Sequence, residues 1–132
     1  MIEDMLSWLR QQIETRKALA EAASPSPWSA NAEHDEVLAV DGERVADGFA
    51  LSGNQLRNTV DHIVFNDPRQ ILTDCEADLA EIAHHVENFA YDCEWCGEHE
   101  ADFPCTYLRR QAHRYRHRPG YLPEWAPEGT TP

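Results

Sequence analysis

The sequence predicts an α+β fold that is mainly α-helical, with about four helices and one small β-hairpin. Three observations carry that prediction. Apolar residues recur at helical spacing through most of the chain, a single Asp-Gly turn signal separates two short β-prone runs, and the segment expected to join the last two helices, HHVENFAYDCEWCGEHEADFPCTYLRR at 84 to 110, is rich in cysteine and histidine.

The first helix follows from Ile2, Met5, Leu6, Leu9, Ile13 and Ala20, which fall on one side at helical spacing. Acids precede Arg16 and Lys17, as the helix dipole prefers, and the helix is expected to reach about Ala23. SPSPW at 24 to 28 then breaks it with two prolines. VLAV and RVAD flank Asp41-Gly42, which predicts a hairpin over roughly 36 to 47. Two strands alone are marginal, so the hairpin must lie on helices.

A short helix is expected from Asn54 to Phe65, with Leu56, Val60, Ile63 and Val64 on its apolar side. Asp67-Pro68 reads as an N-cap followed by proline at the first helical position. The helix it opens is expected to run to about Ala90, because Leu72, Cys75, Leu79, Ile82, Val86 and Phe89 recur at intervals of three and four. Cys75 lies inside that stripe and reads as a core cysteine. Pro104 is a natural start for the last helix, which carries Cys105, Leu108, Ala112 and Tyr115 before HRPG ends it. The tail, 119 to 132, brings Tyr121, Leu122 and Trp125, which are expected to fold back onto the core.

Composition bounds what such a chain does. Its 132 residues suit a single domain, 1 to 132, and 42% apolar content with four tryptophans argues against disorder. A mean hydropathy of −0.63 and no long apolar run exclude a helical membrane span. MIEDMLSWLRQQIE has acids where an export signal has basic residues, so a cytoplasmic location is expected. The net charge of −13 is uneven: residues 1 to 106 carry −16, and residues 107 to 118 hold five arginines and no acid. An acidic body repels nucleic acid except where that arginine segment acts locally.

Cys93-Glu-Trp-Cys96-Gly97 has the form of a zinc knuckle, two thiolates two residues apart with a glycine that lets the backbone turn around the ion. Cys105 supplies a third thiolate from the start of the last helix, where the dipole lowers a thiol pKa. Two histidines compete for the fourth position. His85, near the end of the long helix and beside its apolar stripe, is favoured; His99, in the loop between Cys96 and Cys105, is the alternative. His84 points to another side of that helix, and His62 reads as a surface or partly packed residue. A redox pair would need C-x-x-C at a helix N-terminus in a βαβ context, which is missing. Catalytic zinc keeps an open position beside a base, whereas a Cys-rich ligand set favours closure. With no phosphate loop, nucleophile elbow or H-E-x-x-H motif, the expected role of the metal is structural, as a knuckle joining the last two helices, and no enzymatic activity is expected.

Nearly the whole chain resembles a family of small proteins from actinobacteria and their bacteriophages, classed as a domain of unknown function. WLRQQIETRKALAEAASPSPW is similar to the family's opening helix and its Thr-Pro-Gly-Pro-Trp block, with Ser24 and Ser26 in place of threonine and glycine. DHIVFNDPRQILTDCEADLAEI looks like its Asp-Pro helix, and CEWCGEHEADFPCTYLRRQAHRYRHRPGYLPEWAP like its cysteine segment and ending, more basic here over Arg114 to Arg118. The first half is also similar to phage early-region accessory proteins. In members with cysteines a histidine commonly ends the long helix, and His85 occupies that position. Members without the cysteines imply that metal supports the fold and is not the shared function.

The expectation is therefore a non-enzymatic, zinc-stabilised accessory module that binds a host or phage protein in the cytoplasm, the host's if the gene is a phage's. Trp8, Trp28, Trp95 and Trp125 are candidate contacts. Trp125, Tyr121, Arg109 and Arg114 are the binding residues singled out. The alternatives are nucleic-acid binding through Arg109 to Arg118, disfavoured by charge, and an acidic body that mimics nucleic acid and inhibits its readers.

Overall fold

Local chemistry sets the ends of most elements. In the computed structural model residues 2–85, 93, 94, 96 and 104–130 are described, with side chains from Met5 onward. Among them lie four α-helices, α1 (Ile2–Ala22), α2 (Gly53–Phe65), α3 (Pro68–Ile82) and α4 (Thr106–His113), and three strands, β1 (Ser29–Ala30), β2 (Glu36–Leu38) and β3 (Arg44–Asp47). A short 3-10 turn at Pro123–Trp125 closes the chain. The α+β, mainly helical class is as the sequence predicts. The residues form two compact units, 16 to 75 and the combination of 1 to 15 with 76 to 132, whose boundaries fall within α1 and α3.

In the first of these, the antiparallel sheet has the order β1-β2-β3, pairing Ala30 with Val37 and Val37 with Ala46. Its hairpin turns as Asp41-Gly42 requires: Gly42 sits at φ 85°, in the left-handed region that glycine adopts without strain, and its N–H donates to Ala39 O at 3.0 Å. The sequence reading missed β1. The signal for it is a side chain: Asn31 Oδ1 accepts the Asp35 and Glu36 N–H groups, each at 3.0 Å, folding the chain between β1 and β2. Val37, Ala39, Val60 and Cys75 are buried here, and α2 opens on Ser52, whose side chain accepts from the Gln55 N–H.

Asp67 caps α3 as expected and does more. Its Oδ1 accepts the Gln70 N–H at 3.0 Å, its Oδ2 accepts the Trp28 N–H at 3.2 Å, and Ser26 Oγ accepts the Arg69 N–H at 2.9 Å. The Pro-Trp block and the Asp-Pro helix start, separate motifs in the sequence, are thus one hydrogen-bonded corner. Cys75 is fully buried, on the core side of α3. Cys75→Ala should lower stability by about 1 to 2 kcal/mol without loss of metal, measured by denaturant unfolding alongside metal content.

In the second unit, Met5, Leu9, Ile13, Ile82, Leu108, Ala112 and Trp125 are buried. The tail folds back as expected: the Trp8 ring lies 5.7 Å from Tyr121 and 5.4 Å from Trp125, centroid to centroid, and Trp8 Nε1 donates to Pro119 O at 2.9 Å. Two boundaries differ from the sequence reading. The last helix begins at Thr106, two residues beyond Pro104, with Cys105 as its N-cap. The long helix ends at Ile82 and not near Ala90: the His84 N–H bonds to Glu81 O and the His85 N–H to Ile82 O, three-residue turns that tighten and stop the helix. Val86 and Phe89, the last two residues of the expected stripe, lie outside the described residues, as do Trp95 and His99.

Candidate metal centre

Each candidate ligand from a described element sits where that element ends. The turn at 83 and 84 carries His85 off the axis of α3, and α4 presents Cys105 from its N-cap position, in extended conformation with φ −67° and ψ 166°. Cys93 and Cys96 come from the intervening segment. One candidate atom from each of the four residues lies within 4.8 Å of all the others. His85 Nδ1 is 3.3 Å from Cys93 Sγ, 3.5 Å from Cys96 Sγ and 3.3 Å from Cys105 Sγ. A tetrahedral zinc ion with ordinary bond lengths separates a nitrogen from a sulfur ligand by about 3.5 Å, so the donors stand at ligand spacing. The four cysteines are free thiols.

Burial decides the electrostatics. Cys93, Cys105 and His85 are buried and Cys96 is half-buried. Burial pushes the Cys96 thiol up to about 12, reinforced by its thiol neighbours, and raises Cys105 as well. From sequence the helix dipole should lower Cys105; the Leu108 backbone N–H does favour its thiolate, but desolvation by burial outweighs that. Burial likewise lowers His85 below its ordinary 6.5, favouring the neutral ring that a metal requires. A divalent cation reverses the penalty on the thiolates, and a soft donor set of three sulfurs and one nitrogen suits zinc. Four protein donors can fill a tetrahedral shell, an arrangement compatible with a structural zinc site.

Two neighbours of His85 escaped the sequence reading. The Tyr107 ring stacks on the imidazole at 4.1 Å with an interplanar angle of 12°. Glu81 Oε1 lies 3.9 Å from His85 Nε2. The i, i+4 spacing was a signal for Glu81; nothing local signalled Tyr107.

The other residues singled out are engaged within the chain. Trp125 is buried, and Tyr121 packs against both it and Trp8. Arg109 Nε donates to Pro104 O at 3.1 Å and its guanidinium to Glu124 O at 3.3 Å. Arg114 pairs with Asp78 at 2.9 Å, joining α4 to α3. His62 and His84 are exposed. The large exposed apolar residues instead include Phe49, Leu51 and Phe65, which the sequence reading did not single out. No helix of the described residues is long and apolar enough to cross a membrane.

No curated protein and no solved structure matches the chain. A family model does, over residues 2–127, so a chain with this cluster of one histidine and three cysteines belongs to the family of unknown function DUF6221.

Proposed function

We propose that His85, Cys93, Cys96 and Cys105 hold one structural zinc ion, and that the protein is a non-enzymatic accessory module that binds another protein. The convergence of three thiols on one imidazole nitrogen carries the zinc reading. In this reading residues 1 to 132 act as one zinc-stabilised domain with 119 to 132 as its tail. The order of the sequence motifs supports an origin in actinobacteria or their phages, with action in the bacterial cytoplasm. Elemental analysis of protein purified without added metal should find one zinc per chain, and a folded sample with almost none would sink the idea.

The interaction reading takes its candidate contacts from the large apolar side chains left in water, Phe49 at 87%, Leu51 at 101% and Phe65 at 76% exposed. Quantitative capture from a host lysate should recover a partner with the native protein and lose it with a Phe49→Ser, Leu51→Ser double variant that unfolds at the native midpoint. Equal recovery by both would remove these residues from the interface.

The arginine segment is better employed as counter-charge, since Arg114 is paired to Asp78 and Arg109 is bonded to two carbonyls. We therefore expect no strong affinity for duplex or single-stranded nucleic acid. Binding that weakens steeply with salt and vanishes when Arg109, Arg110, Arg114 and Arg116 become alanine would restore the nucleic-acid reading.

A further inference from the structure

We propose that Glu81 is the positioning carboxylate of the metal centre, accepting a hydrogen bond from His85 Nε2–H when Nδ1 binds the ion. The inference rests on the zinc reading above and goes beyond its four ligands.

It begins with a tautomer. All three thiols face Nδ1, so Nδ1 is the ligand atom, and a neutral ring that binds metal there carries its proton on Nε2. That nitrogen is buried and has no hydrogen-bond partner among the described residues. A buried donor without an acceptor opposes the ligating tautomer. The Glu81 carboxylate, 3.9 Å away, is about half exposed, so a torsional adjustment of one mobile side chain closes the gap. Metal-binding histidines ordinarily give their second N–H to such an acceptor, which fixes ring orientation.

Helix energetics offer no other reason for this acid. Glu81 lies in the last turn of α3, where the helix dipole favours cations, and that turn carries no basic residue to compensate. Tyr107, in the first turn of α4, supplies the complementary restraint by stacking on the imidazole face. The ring is then held in plane by Tyr107 and about its axis by Glu81, while Cys105 reaches the ion from beside Tyr107.

Charge and hydrogen bonding can be separated experimentally. Three thiolates around a divalent ion leave a formal negative charge, so a carboxylate gains nothing from the net charge of the loaded site. Its contribution is the acceptor oxygen, which glutamine also has. The test uses the full chain and its Glu81→Ala, Glu81→Gln and Glu76→Gln variants, the last removing an exposed acid of the same helix as a control for charge. Zinc affinity is measured by chelator competition, the ligand set by cobalt(II) absorption, and the Nε2 proton by NMR of the zinc form.

Glu81→Ala should bind zinc about 10- to 100-fold more weakly, keep a tetrahedral cobalt spectrum and lose the slowly exchanging Nε2 proton. Glu81→Gln should stay within about threefold of the native protein, as a neutral acceptor replaces a charged one. Glu76→Gln should change nothing. Native-like affinity in Glu81→Ala, or equal losses in the alanine and glutamine variants, would overturn the assignment while leaving the zinc site standing. Failure of the native protein to take up zinc or cobalt would instead remove the reading on which it rests.

Discussion

Chelating the zinc is expected to release hydrogen-exchange protection across residues 85 to 125 while leaving the hairpin and α2 protected. The four ligands all come from the end of α3, the segment after it and the cap of α4, so the ion ties together chain that otherwise closes long loops at an entropic cost. Structural zinc contributes on the order of 10 kcal/mol, comparable to the whole stability of a small domain, so metal binding and folding of that region are one equilibrium. Residues 16 to 75 hold none of these ligands. Exchange measured by mass spectrometry on loaded and chelated protein resolves the two regions. Protection unchanged throughout would contradict a structural staple.

The same ligands set the pH dependence. Thiols bind the ion only as thiolates, and burial pushes both Cys96 and Cys105 toward the protonated form, so loading displaces at least two protons per ion. Affinity should therefore fall about 100-fold or more per unit of pH as the solution is acidified.

Trp125→Ala is expected to cost the loaded protein about 3 to 5 kcal/mol, the range for removing a buried large aromatic side chain. Trp125 is 6% exposed, and its ring meets those of Trp8 and Tyr121 at 5.4 and 5.6 Å. The backbone before it is built to the same contact. Gly120 has φ 91°, and a Cβ there would stand 2.7 Å from Trp8 Nε1, so Gly120→Ala should destabilise in the same direction through strain and displacement of the indole. Urea midpoints for both variants, measured with metal bound, test this. A native midpoint for Trp125→Ala would mean that the tail is not part of the core.

What the sequence determined by itself was whatever neighbouring residues can enforce. Asp67-Pro68 starts α3 because a carboxylate caps N–H groups within three residues of it, Gly42 turns the hairpin because of its own φ, and C-x-x-C brings two thiols together by spacing alone. The intervals of three and four along α3 identify Cys75 as core for the same reason. The tertiary structure decided what depends on residues far apart. Periodicity carries α3 to about Ala90, yet the helix stops at Ile82 and turns His85 toward thiols 8 to 20 residues away. Arg114 reads as a binding residue until Asp78, 36 positions earlier, stands beside it, and Trp8 finds its acceptor 111 positions along the chain. Which apolar residues stay in water, Phe49 and Leu51 among them, was equally hidden, because hydrophobicity favours burial without specifying a partner and only the folded chain determines which surface is covered.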